Sequence, residues 1–186
     1  MKLFFALPVP KAFIDKLFIP YQKKFKKYAL KWSLVENLHI TLRFIGDTNN
    51  EQLETIKQIA HKVSTSHELP RLEANNLMSL PTEKDSHVLT VEVSQSEALY
   101  HLYKNLDDQL TEANIVRDHR AFFPHITIAR TNKPILEEML LEVGHGVLDS
   151  HNLSWKAEEL LLYESRYGKV DKEYRELARF KLGTQA

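Results

Sequence analysis

Hydrophobic and polar positions follow two different periods along this chain, and each period predicts a type of secondary structure. Residues 38–46, LHITLRFIG, alternate between apolar and polar side chains, which is typical of a β-strand with one buried face. Residues 49–66 carry apolar side chains at the spacing of an amphipathic helix. The same reasoning predicts strands at 2–9, 38–46, 70–81, 87–94, 122–130, 153–165 and 174–183, and helices at 11–30, 49–66, 96–115 and 134–143.

Two local features refine these elements. Pro20 falls inside the first helical stretch, and because proline lacks an N–H we expect the helix to break or kink there. Residues 166–173, RYGKVDKE, are typical of a turn that pairs the last two strands.

The predicted elements occur twice in the same order: strand, helix, strand, helix, strand. The first copy spans residues 1–85 and the second spans 86–186. No stretch rich in glycine or serine separates them, so we expect the two halves to share a core. The sequence therefore predicts an internal duplication that folds as a single bilobal domain over residues 1–186.

A repeated hexapeptide is the strongest sign of this duplication. Residues 39–44 read HITLRF and residues 125–130 read HITIAR, 86 positions further on. Side chains alternate between the two faces of a strand, so core packing explains the isoleucines but not the histidine–threonine face. We therefore predict that one site contains the side chains of His39, Thr41, His125 and Thr127.

Two imidazoles and two hydroxyls form a set that suits one kind of chemistry. Imidazole, with an ordinary pKa of about 6.5, can donate or accept a proton near neutral pH. Two imidazoles on opposite walls of a groove can act as general acid and general base, and the threonine hydroxyls can donate hydrogen bonds to an anion between them. A phosphodiester fits such a site, and no metal is required because proton transfer activates the reactants.

Composition narrows the function classes further. The chain has 25 basic and 25 acidic residues and no net charge, which argues against a general DNA-coating protein. It has no cysteine, so disulfides, thiolate metal sites and a cysteine nucleophile are excluded. Prolines interrupt the apolar start MKLFFALPVP, which is too short for a signal peptide or a membrane span. We therefore expect a cytoplasmic protein with no membrane partner.

The two hexapeptides resemble the paired His-x-Thr signatures of the two-histidine (2H) phosphoesterase superfamily. Four longer stretches are similar to its RNA 2′,3′-cyclic phosphodiesterases, also called 2′-5′ RNA ligases: KLFFALPVP, KWSLVENLHITLRFIGD, RAFFPHITIAR and LLLYESRYGKVDKEYRELARFKL. The resemblance implies an α+β fold in which two antiparallel sheets line a central cleft and helices lie outside. It also implies hydrolysis of an RNA 2′,3′-cyclic phosphate end to a 2′-phosphomonoester, without metal or cofactor.

The same resemblance implies individual roles. His39 would be the proton donor to the departing 3′ oxygen, and His125 would be the proton acceptor for the attacking water. Thr41 and Thr127 would hold the phosphate oxygens. Joining of RNA ends through a 2′-5′ linkage would use the same site, with a 5′-hydroxyl in place of water.

Further residues are candidates for substrate binding. Arg43 shares the predicted face of His39 and could pair with a phosphate, or could be a solvated strand residue. Arg130 alternates in register with Ile126 and Ile128. Its side chain would therefore lie on their face of the strand and point away from the site, unless the strand twists or ends there. Phe123 could stack on a base or pack in the core. The lysine-rich run 23–32 could guide RNA toward the site, or could simply be the solvent-exposed face of a helix.

The residues alone leave several functions open. The partner could be RNA with a 2′,3′-cyclic phosphate end or a small cyclic nucleotide, and the bond cleaved could instead belong to a 2′-5′ oligonucleotide. A non-catalytic binder of RNA ends is a third possibility. We expect a monomer.

Overall fold

Antiparallel strands dominate the structure, a computed structural model that describes residues 1–81, 87–133, 140–141, 153–168 and 172–183. Its strands are β1 Lys2–Pro8, β2 Lys31–Trp32, β3 His39–Asp47, β4 Arg71–Pro81, β5 His87–Val93, β6 His125–Thr131, β7 Ser154–Lys156, β8 Glu159–Tyr167 and β9 Lys172–Lys181. Its α-helices are α1 Lys11–Phe13, α2 Ile19–Lys24, α3 Asn50–Ser64 and α4 Glu97–Glu112. The expected α+β class is confirmed.

The strands form one hydrogen-bonded path in the order β7-β4-β5-β6-β3-β1-β8-β9, with β2 added to β6. At its centre, β3 and β6 pair at a single position, Ile40 opposite Ile126. This narrow joint separates two groups of strands, which we call the β6 group (β7, β4, β5, β6, β2) and the β3 group (β3, β1, β8, β9). The two repeated motifs therefore lie side by side, one on each side of the joint.

The two strand groups do not follow the two halves of the sequence. Strand β4 comes from the first half but pairs with β5, in the β6 group. Strands β8 and β9 come from the second half, but β8 pairs with β1, in the β3 group. Each half of the chain thus supplies strands to the sheet of the other.

Capping residues set the ends of the two longest helices. Asn49 and Gln52 form a reciprocal capping box at the start of α3, and Ser96 accepts the N–H of Leu99 at the start of α4. Each helix then buries an apolar stripe, with Ile56 among the buried residues of α3. The helices pack against each other and against strands of both groups.

The predicted helix over residues 11–30 is shorter and less regular than its pattern suggested. A π-helical turn, Ile14–Phe18, lies between α1 and α2, and Pro20 follows it as the second residue of α2. The helix ends at Lys24, and the buried ring of Phe25 follows it. Helical backbone is continuous from Lys11 to Lys24, so the chain does not break at Pro20; the change is one of helix type, in the π-helical turn just before it.

The predicted strand over residues 153–165 is two strands. Strand β7 ends at Lys156 and pairs with β4, whereas β8 begins at Glu159 and pairs with β1 at the other side of the molecule. Ala157 lies between them, and its N–H bonds to the carbonyl of Pro70. Most of the predicted helix 134–143 and part of the predicted turn 166–173 lie outside the described residues.

Candidate active site

A bulge in β3 determines which side chains of the first motif face the cleft. Ala6 of β1 pairs with Thr41, but its neighbour Phe5 pairs with Arg43, so Leu42 is an extra residue. Leu42 and Arg43 are consecutively buried, and the alternation of faces restarts one position later. Phe44, which is 40% exposed, then lies on the cleft side.

Strand β6 has the same bulge at the equivalent place. Thr127 pairs with Thr90, and Ala129 pairs with Leu89, so Ile128 is the extra residue. Ile128 and Ala129 are both fully buried. Arg130 is therefore turned into the cleft, which it lines, and the parity argument that pointed it away is wrong.

The cleft is a cavity of about 290 Å³ that contains both repeated motifs. Its central residues are His39 and Thr41 from β3 and His125 and Thr127 from β6. The remaining walls are formed by Phe4, Ser33, Leu34, Asn37, Phe44, Val88, Arg120, Arg130, Ser165, Lys172 and Tyr174. The predicted meeting of two histidine–threonine pairs in one cavity is thus what the fold produces.

Both histidines are held by the same hydrogen bond. The Nδ1 atom of His39 lies 2.7 Å from the carbonyl oxygen of Asn37, and Nδ1 of His125 lies 2.7 Å from that of Phe123. Because a carbonyl only accepts, Nδ1 of each ring carries the proton. The Nε2 atom of each ring is therefore the one available for proton transfer, and that of His39 lies 3.1 Å from the hydroxyl of Thr41.

The rings differ in their surroundings. His39 packs against Phe4 and Tyr174, with ring centroids 5.1 Å away in each case. Among the described aromatic residues, His125 stacks only on Phe123, at 5.6 Å, and its ring is closer to solvent. The aromatic enclosure of His39 excludes water on several sides.

These surroundings lower the pKa of both imidazoles. Burial lowers the pKa of His39 to about 4, and the positive charges of His125 and Arg130 act in the same direction. Burial also lowers the pKa of His125, again with help from Arg130. The hydrogen bonds to the backbone carbonyls oppose both shifts. Both rings are therefore biased toward the neutral form when no anion is bound.

Among the residues that the structure describes, those that line the cleft carry positive charge and include no carboxylate. Arg130 has no ion-pair partner among the described residues. Arg120 lies 4.2 Å over the ring of Phe44 and is held by Asp118, with N–O distances of 2.8 and 2.7 Å. Such a cavity favours an anionic ligand.

Comparison with known proteins identifies the family to which this chain belongs. The family model described as "2′-5′ RNA ligase superfamily" matches residues 10–168 of the chain. The chain belongs to this superfamily. A curated relative from Methanocaldococcus jannaschii, named RNA 2′,3′-cyclic phosphodiesterase, is 25% identical over 165 residues, which are 89% of this chain and 91% of the relative.

Two solved structures share the fold of this chain. The TT0787 protein of Thermus thermophilus superposes with a TM-score of 0.82 at 22% identity, covering 100% of both chains. The LigT protein of E. coli, complexed with 3′-AMP, superposes with a TM-score of 0.80 at 22% identity, covering 97% of each chain. The expected family and fold are confirmed.

Arg43 is the predicted site residue that the structure places elsewhere. It is 1% exposed, its Nε donates to Asp107 at 2.7 Å, and it also donates to the carbonyl of Val116 at 2.8 Å and to that of Phe44. The bulge at Leu42 turns it away from the face of His39, so the expectation of a shared face is wrong. In this superfamily member, Arg43 ties β3 to α4 and to the loop that follows it.

The aromatic candidate Phe123 has a different location from two other aromatic residues, Phe122 and Trp32. Phe123 is 36% exposed and lines a smaller cavity of about 120 Å³, which adjoins the cleft at His125 and Thr41. Phe122 stacks on Tyr103 at 4.2 Å, and Trp32 packs against Phe18.

The sequence pattern did not predict several of the residues that line the cleft. Arg120 and Lys172 lie in segments with no periodic pattern around them, and only the fold brings them to the histidines. Tyr174 begins the predicted last strand, but nothing in its spacing pointed to His39. Phe44 did carry a signal, since it is a large apolar residue at the end of the first motif.

No helix in the part of the chain that the structure describes is long and apolar enough to cross a membrane. Within the same residues, no three histidine or carboxylate side chains are grouped as a metal site.

Proposed function

We propose that the protein hydrolyses the 2′,3′-cyclic phosphate at an RNA end to a 2′-phosphomonoester, with two histidines as acid and base and no metal. The observation that carries this proposal is the placement of both histidine–threonine pairs in one positively charged cavity. The names of curated relatives, such as the one from Methanocaldococcus jannaschii, support the substrate class.

The proposed reaction is an in-line displacement at phosphorus. Nε2 of His125 accepts a proton from water as the water oxygen bonds to phosphorus. The bond between phosphorus and the 3′ oxygen breaks, and Nε2 of His39 donates a proton to that oxygen. Each positioned acid or base contributes about 10²–10⁴-fold to such a step.

The threonines and Arg130 act on the charge of the phosphate. The hydroxyls of Thr41 and Thr127 lie two residues beyond the histidines and donate to the non-bridging oxygens. The Arg130 guanidinium supplies a positive charge on the same side as His125. One hydroxyl, that of Thr41, already contacts His39, so substrate binding exchanges this bond for one to phosphate.

The low pKa of His39 bears directly on its role as donor. A donor must be protonated, yet burial lowers the pKa of His39 to about 4. A bound phosphate anion places negative charge beside the ring and raises this pKa, because an opposite charge favours the charged form. Protonation of His39 is therefore coupled to substrate binding, and the ring is charged only when there is a leaving group to protonate.

Ligation through a 2′-5′ linkage follows from the same geometry. A 5′-hydroxyl can replace water as the nucleophile, with His125 as its base and the 3′ oxygen again departing. Because water is far more abundant, hydrolysis is the main reaction.

The test is a substrate panel in the presence of EDTA. A short RNA ending in a 2′,3′-cyclic phosphate should be converted to the 2′-phosphomonoester, identified by ³¹P NMR. A 2′-5′ oligonucleotide and a cyclic mononucleotide in the same panel report the alternative bonds. Persistence of the cyclic end at every pH between 5 and 8, with tight binding of the RNA, would show a non-catalytic binder instead.

A further inference from the structure

We propose that a surface beside the cleft binds the RNA strand upstream of the cyclic end. We define this surface, the lysine ridge, by Lys23, Lys24, Lys26, Lys31 and Leu34. The inference rests on the proposed function for its substrate, and it adds a site for the phosphates that precede the reacting one.

The charge of the ridge is unusual for a chain with no net charge. No acidic residue occurs between Asp15 and Glu36, while five lysines occupy positions 23, 24, 26, 27 and 31. A merely solvated helix face usually mixes both signs, because pairs of opposite charge stabilise it. A concentration of one sign favours a polyanion as the ligand.

Buried aromatic residues hold the ridge rigidly in place. Phe25, fully buried between the lysines, and Tyr21 one turn earlier anchor the end of α2. Lys23, Lys24 and Lys26 are exposed around them, and none of the three forms an ion pair with a described residue. The ammonium groups are thus displayed on a fixed backbone and remain available to phosphate.

Strand β2 joins the ridge to the cleft. Lys31 lies directly opposite Arg130 in the antiparallel pair of β2 and β6, so both side chains project to the same face. Arg130 lines the cleft, and Lys31 therefore continues its positive lining outward.

Apolar surface lies where the ridge meets the cleft. Leu34 lines the cleft and is 48% exposed, and Val35 beside it is 46% exposed. Ser33 fixes this segment to β6, since its hydroxyl donates to the carbonyl of Thr127 at 3.0 Å. Exposed apolar side chains at this position can contact a nucleobase, while the lysines contact the phosphates.

The distances suit a strand of a few nucleotides. Ser33 follows Lys26 by seven positions, so the two lie at most roughly 25 Å apart. The lysine ridge therefore begins within a few nucleotides of the phosphate between the histidines. We therefore expect the protein to bind oligonucleotides more tightly than a cyclic mononucleotide.

The experiment compares two variants that each lose two positive charges. Lys23→Gln/Lys26→Gln removes charge from the ridge, and Lys57→Gln/Lys62→Gln removes it from α3 as a matched control. Binding of a fluorescent RNA dodecamer ending in a 2′-phosphate is measured by anisotropy against salt, alongside kcat/KM on a cyclic dodecamer and a cyclic mononucleotide. The ridge variant should bind the dodecamer about 10-fold more weakly at low salt, with a salt slope shallower by about 1.4. The control variant should match the unmodified protein.

The outcomes separate the two proposals. Equal loss on the dodecamer and the mononucleotide, or equal loss in both variants, would overturn the lysine ridge. Dodecamer binding by the unmodified protein that is no tighter than mononucleotide binding would also overturn it. Absence of turnover with the predicted salt and variant effects on binding would overturn the proposed hydrolysis and leave the ridge supported.

Discussion

His39 and His125 make the same backbone hydrogen bond, but their surroundings are not equivalent. Aromatic rings enclose His39, whereas His125 is stacked on Phe123 and faces solvent. The neighbours that the fold supplies thus break the symmetry that the repeated motif suggests. The enclosed ring is the one whose pKa burial lowers to about 4.

Separate replacement of the two histidines tests their roles. On an RNA 2′,3′-cyclic phosphate, His39→Ala and His125→Ala should each lower turnover by at least about 100-fold. On bis(p-nitrophenyl) phosphate, whose nitrophenolate departs without a proton, His39→Ala should stay within about 10-fold of the unmodified protein, whereas His125→Ala should not. His61→Ala, an exposed histidine on α3, is the control. The opposite pattern on the nitrophenyl ester would exchange donor and acceptor.

The four central side chains could be predicted from the sequence because a repeat of residue types is visible without knowing the fold. The cleft residues around them could not. Arg120 lies five positions before His125 in an irregular segment, and its place over Phe44 depends on tertiary packing. Local patterns carry no information on such contacts.

At the level of secondary-structure elements, the equivalent bulges in β3 and β6 determine which side chains line the two walls of the cleft. In β6 the sequence holds a trace of the bulge, because Ile128 and Ala129 are consecutive apolar residues that break the alternation. In β3 the equivalent consecutive buried residues are Leu42 and Arg43. Because Arg43 is charged, the sequence there keeps its polar alternation and gives no sign of the bulge. The error over Arg43 arose from extending the alternation of faces through a residue that does not keep it.

Loss of the buried Arg43 guanidinium should destabilise the protein strongly. Arg43→Met leaves the buried Asp107 with only its longer contact to the half-exposed Arg117, at 3.5 Å, and breaking a buried pair costs about 3–5 kcal/mol in the free energy of unfolding. Urea denaturation measures this cost.

The matched control is Arg179→Met on β9. Arg179 pairs with Glu159 and Glu176 at the surface, where the guanidinium is 49% exposed, so its loss should cost about 1 kcal/mol or less. Equal costs for the two variants would contradict a structural role for the Arg43–Asp107 pair.

For the whole molecule, the active site sets part of the pH dependence of stability. The pKa of His39 is about 4 in the folded protein and about 6.5 in the unfolded chain, which therefore binds more protons between these values. Stability should fall as the pH falls from 7 toward 4, by roughly 3 kcal/mol from this residue alone.

Urea denaturation of the unmodified protein and of His39→Gln at pH 7 and pH 4 isolates this contribution. The loss of unfolding free energy between the two pH values should be roughly 3 kcal/mol smaller in His39→Gln. A loss of the same size in both proteins would mean that His39 does not carry a depressed pKa in the fold.

The exchange of strands between the two halves of the sequence has a consequence for fragments of the chain. Residues 1–85 alone would contain β1 and β3 without β8, and β4 without β5, so both sheets would keep open edges. Open edges invite pairing with another chain. We therefore expect the segment 1–85, produced alone, to complete its sheets only by pairing its strands with a second chain, and not to persist as a stable monomer.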